Sequence, residues 1–116
     1  MHESEINFRI TLDEEKMPED IKWQAPDGGM ESFQDAKGLL LGIWDGAEKS
    51  ALRIDLWTKK MLVDEMADFF FQSLMGMADT YHRATKNQSL ANELRVFARD
   101  FHNKAIEAIN KEAEQS

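Results

Sequence analysis

The chain has 116 residues, 42% hydrophobic and 31% charged, with a formal net charge of -8 and no cysteine. That length and balance suit a single globular domain spanning residues 1–116 and argue against global disorder. Lack of cysteine excludes a disulfide framework and a thiolate metal site, while an acidic surface with scattered Lys and Arg disfavours nucleic acid and anionic membrane as partners.

The opening Met1-His2-Glu3-Ser4-Glu5 is polar and acidic, and no apolar run approaches the length of a bilayer span. The expectation is a cytoplasmic protein without membrane insertion. Ile6, Phe8, Ile10 and Leu12 then alternate with Asn7, Arg9 and Thr11, which predicts a half-buried strand over residues 5–12. Asp13 to Asp20 is acidic, contains Pro18 and predicts a solvated turn; its carboxylates lack the ligand order and central glycine of a calcium loop. Ile21, Trp23 and Ala25 alternate with Lys22 and Gln24 in a second strand over 20–25. Pro26-Asp27-Gly28-Gly29 is the strongest breaker, and a flexible connection is expected to run on to about Ser32.

Residues 33–44 and 51–58 predict the third and fourth strands, with Asp45-Gly46 opening the turn between them. Hydrophobic matching sets their register: Ile43 opposite Leu52, Leu41 opposite Ile54 and Leu39 opposite Leu56 place six aliphatic side chains on one face. The other face then carries Leu40, Trp44, Arg53, Asp55 and Trp57, with Arg53 opposite Gly42 and Trp57 opposite Gly38.

Two helices follow. Val63, Met66, Phe70, Leu74, Met77 and Tyr81 recur at three- and four-residue spacing and predict a helix over 63–84, with Asp64 and Glu65 favourably placed in its first turn. Thr85-Lys86-Asn87 breaks the pattern, and Asn87 is read as the cap of a second helix over 88–112, beyond which the tail should fray. Gly76 in mid-helix is expected to let a neighbour approach closely. Strands first and helices last predict an α+β fold, a four-stranded antiparallel sheet followed by two long C-terminal helices packed on one face.

No pair among His2, His82 and His102 has metal-ligand spacing, no serine stands in a Gly-x-Ser-x-Gly elbow, and Gly28-Gly29 lacks the Lys-Ser/Thr of a phosphate loop. No catalytic residue, cofactor or metal ligand is assigned, and the expectation is a non-enzymatic protein. What remains is apolar surface. Aromatics with an arginine are the types enriched at protein interfaces, so Leu40, Trp44, Arg53, Asp55 and Trp57 form the candidate contact face. Arg53 and Asp55 are spaced to pair reciprocally across a two-fold axis, which makes a homo-oligomer one expected state. Phe69, Phe71 and Met75 lie outside the first helix's main stripe; they are interior if that helix is sandwiched and contact surface if it is not.

The run Leu52-Arg53-Ile54-Asp55-Leu56-Trp57-Thr58-Lys59-Lys60-Met61, followed by Val63-Asp64-Glu65-Met66, resembles the gliding-motility GldC family of Bacteroidetes. Ser4-Glu5-Ile6, Ile43-Trp44-Asp45 and Ala91-Asn92-Glu93 are similar to it as well, so the resemblance covers nearly the whole chain. Leu62 departs from the proline expected there. The resemblance implies a small soluble accessory component of the gliding machinery, partnered by other machinery proteins, with no activity or cofactor to carry over. Four strands followed by two helices, with an acidic surface and Met- and Phe-rich apolar area, also resemble the SecB export chaperone in layout, and the alternative function is therefore a binder of unfolded or exported polypeptides.

Overall fold

In the computed structural model, residues 2–115 are described, and the chain forms two compact units, one ending at Met61 and the other beginning at Leu62. Among these residues the order is β1 (Asn7–Leu12), β2 (Pro18–Ala25), a 3-10 turn (Pro26–Gly28), β3 (Met30–Ala36), β4 (Gly38–Asp45), β5 (Ser50–Trp57), α1 (Val63–Thr85) and α2 (Gln88–Gln115).

The α+β class stands, but the expected single four-stranded sheet does not form. The strands make a three-stranded antiparallel sheet, β1-β2-β3, and a two-stranded one, β4-β5. The stretch read as one strand over 33–44 divides at Lys37, which belongs to neither sheet. The Lys37 carbonyl accepts the Thr58 N–H at 2.9 Å and the Thr58 hydroxyl at 3.2 Å, so its hydrogen bonds go to the end of the hairpin and not to a flanking strand. A strand bent at such a point passes from one sheet to another. Thr58 is buried and Ile21 is the largest fully buried apolar side chain, so the core of this unit gathers around the bend. A pocket of about 160 Å³ there is lined by Phe8, Ile21, Trp23, Ala36, Gly38 and Leu39.

The connections are tighter than their composition suggests. At the first turn the Asp13 carboxylate accepts the N–H groups of Glu15 and Met17 at 2.8 and 3.0 Å, and Lys16 takes the left-handed conformation. The flexible run expected to reach Ser32 is instead one 3-10 turn closed by Gly29 at φ 88°, and β3 begins at Met30. A residue with a Cβ is strained at that φ, so glycine is favoured at 29. Between β4 and β5 the Asp45 carboxylate accepts the N–H groups of Ala47 and Glu48, and Lys49 supplies the left-handed residue that returns the chain.

In the second unit α1 and α2 pack against each other along a seam of small residues: Ala67, Ala78, Ala91 and Ala98 are buried. The Glu65 carboxylate accepts the Leu62 N–H at 3.0 Å and so closes the first turn of α1. A proline at 62 would have no N–H to give, so the departure at this position gains a capping bond. Asn87 caps α2 as expected, its side-chain oxygen accepting the Leu90 N–H at 3.1 Å. The tail does not fray at 112: α2 continues to Gln115, because Lys111-Glu112-Ala113-Glu114-Gln115 are all good helix formers. One side of the pair is polar, with Asp79–Arg95 and Asp68–His102 bridged at 2.8 and 2.7 Å.

Gly76 corrects another expectation. A Cβ built there meets nothing within 4 Å, so no neighbour exploits the glycine. Gly76→Ala should therefore raise stability by about 1 kcal/mol through the helix preference of alanine alone. A thermal melt at 222 nm showing no rise in midpoint would mean that something does approach Gly76 in solution.

Candidate functional site

The β4-β5 hairpin has the register that hydrophobic matching selects. Ile43 pairs with Leu52, Leu41 with Ile54 and Leu39 with Leu56, while Gly38 pairs with Trp57, Leu40 with Asp55, Gly42 with Arg53 and Trp44 with Ala51. Period-two geometry then puts Leu40, Trp44, Arg53, Asp55 and Trp57 on one face, so all five expected contact residues come together. Trp57 stands at the base of the face and Trp44 near its tip, six residues along β4 from Trp57's partner Gly38, a span of about 20 Å.

Between them Arg53 and Asp55 form a fork. Arg53 Nε donates to one carboxylate oxygen at 3.0 Å and Nη2 to the other at 2.9 Å. The Asp55 hydrogen bond, and then its charge, raise the Arg53 pKa above its ordinary value. The guanidinium lies over Gly42: a Cβ there would sit 3.1 Å from Nη1. The strand glycine thus makes room for the arginine to lie flat. Because the fork closes within one strand, neither charge needs a mate across a two-fold axis. Lys22 and Asp35, cross-strand neighbours on the other sheet, are paired in the same way at 2.7 Å; that bond raises the lysine pKa and lowers the carboxyl's.

The face is open. Trp44 is 67% and Trp57 58% exposed, while Leu40 is half-buried beneath them. An indole as open as Trp57 does not serve as a simple lid on the core edge. Two exposed indoles flanking an internally neutralised ion pair suit association. The rings offer large apolar area at little entropic cost, and the Arg53–Asp55 pairing leaves no lone charge to be covered.

Alternation could not show that the opposite hairpin face is also uncovered. Ile43, Leu52 and Ile54, which hydrophobic matching puts on the aliphatic face, are exposed. The pattern separates two faces without saying which of them is buried, and no other signal in these residues marks the difference. Phe69, Phe71 and Met75 are half-buried, and Phe71 packs its ring against His102 at 4.9 Å. Among the described residues no group of three or more His, Asp or Glu side chains is placed to hold a metal ion, and no helix is long and apolar enough to cross a membrane.

Residues 18–107 match the family described as "Gliding motility-associated protein GldC-like". The match covers most of the chain and runs through both units. No curated protein and no solved structure matches the chain.

Proposed function

The chain belongs to the GldC-like family of gliding motility-associated proteins, and from that premise we propose that it serves the gliding machinery as a soluble, cytoplasmic accessory component that acts by protein contact and not by catalysis. Residues 1–116 work as one GldC-like domain in this reading. The observation that carries it is the outer hairpin face, with Trp44 and Trp57 exposed on either side of the Arg53–Asp55 fork. The partner is another protein of the machinery, docking its own apolar surface over the two indoles. Tryptophan and arginine are the residue types that dominate interface energetics when they are centrally buried.

The test is capture of machinery proteins from a gliding host by the tagged wild type and by the Trp44→Ala/Trp57→Ala double variant. A hot-spot tryptophan contributes about 2 kcal/mol or more, so the variant should lose about 30-fold or more in affinity while keeping its far-UV spectrum. Equal recovery of the same machinery proteins by both would move the contact off this face.

The export-chaperone alternative draws on the order of four strands and two helices together with an acidic surface and Met- and Phe-rich apolar area; the division into a three-stranded and a two-stranded sheet weakens the layout part of that likeness.

A further inference from the structure

The helical unit carries a surface that the hairpin contact does not use. One side of the α1–α2 pair is apolar along its length, and its large side chains stay open to solvent. Phe70, Met77 and Tyr81 on α1 and Leu90, Phe97 and Phe101 on α2 are all more than a third exposed. Ring contacts tie the two helices into one face, with Phe70 to Phe101 at 6.3 Å and Phe97 to Phe101 at 6.2 Å. Toward the start of α1 the face deepens into a groove of about 360 Å³, with Val63 and Ile109 among its lining residues. The buried positions of the pair are alanines, so the bulk of its apolar side chains is not spent on the seam.

We propose that this face is a homodimer interface, in which the helical pair of a second copy packs face to face to form a four-helix arrangement. Area selects the second copy's helices as the occupant. With 23 residues α1 runs about 34 Å, and two helices side by side are about 18 Å wide, giving a footprint of about 600 Å². Side-chain relief brings that near the ~800 Å² per partner of a standard stable interface. The hairpin, with eight-residue strands, offers a footprint of about 26 by 10 Å, less than half as much. Self-complementarity follows from the antiparallel pair: a two-fold axis through the middle of the face sets each apolar stripe on the same stripe of its mate. Each copy has a net charge of -8, which opposes association overall, so contact needs a patch of low charge at its centre; these six side chains carry none, and Glu112 is the one charged residue lining the groove.

The experiment is sedimentation of the full chain at micromolar concentration, wild type against Met77→Glu, Phe97→Glu and Trp57→Ala. Met77 and Phe97 are both 57% exposed, so an acidic side chain at either leaves the single chain able to fold, and circular dichroism at 222 nm verifies it. The expected result is a wild-type mass twice the 13.4 kDa of one chain. Either glutamate variant should halve it, Trp57→Ala should leave it unchanged, and added salt should tighten the dimer by screening two acidic copies. A monomeric wild type overturns the proposal. So does a dimer that survives both glutamates, one that is lost in Trp57→Ala, or one that salt loosens.

Discussion

Replacing Ile21 with alanine is expected to cost the sheet unit about 3 kcal/mol. Ile21 is 1% exposed, lies opposite Ile10 on β1 and Ala36 on β3, and is the largest fully buried apolar side chain among the described residues. Removing its outer carbons forfeits their transfer energy and adds to the pocket already bounded by Phe8, Trp23 and Leu39. Around that pocket Phe8 is itself 39% exposed, so few other side chains share the load. Small domains hold only about 5–15 kcal/mol in all, so the loss is a large fraction of the total. All three tryptophans, Trp23, Trp44 and Trp57, lie in this unit, which makes their fluorescence its natural reporter. Urea unfolding followed by that signal should shift to a clearly lower midpoint. A shift worth less than about 1 kcal/mol would show that the unit's stability does not centre on Ile21.

The second large effect is expected from Ala98→Leu. Ala98 is 0% exposed and lies on the seam with Ala67, Ala78 and Ala91. Leucine adds three carbons where the facing helix leaves no room, which pushes α1 and α2 apart or forces an unfavourable rotamer. Overpacking of this kind costs about 1–3 kcal/mol. The upper end is expected here, because a two-helix unit has few other contacts through which to relax. The readout is the 222 nm transition, to which α1 and α2 contribute most of the signal. If the leucine left that midpoint in place, the seam would be looser than the burial of its alanines implies.

How much of this was legible beforehand differs from element to element. The β4-β5 register could be read because a one-residue slip would strand six aliphatic side chains, Leu39, Leu41, Ile43, Leu52, Ile54 and Leu56, on the wrong faces. The cap of α2 could be read because it is local: Asn87 reaches the Leu90 N–H three residues on. The break at Lys37 could not. Asp35 and Lys37 interrupt the alternation of Phe33 with Leu39, Leu41 and Ile43, but polar residues alone do not mark a change of sheet, and the carbonyl at the break is committed to Thr58, 21 residues away. The grouping of Leu40, Trp44, Arg53, Asp55 and Trp57 on one hairpin face followed from register, with Arg53 opposite Gly42; that the guanidinium lies over the glycine did not. The openness of this face, and that of the face behind it, depends on what covers each side, and alternation does not carry that information.

The pairings have a consequence for synthesis. β1 joins β2, β2 joins β3, β4 joins β5 and α1 joins α2, so within each unit every major partner is the next major element along the chain. Chains built from such short-range closures fold quickly. All five strands and Thr58, whose bond secures the bend, precede α1 in the chain and are therefore translated before it. At about 5–20 residues per second the helices take about 3–10 s more to appear on the ribosome. Each strand's mate is thus translated directly before or after it, and no strand is left waiting for a distant one.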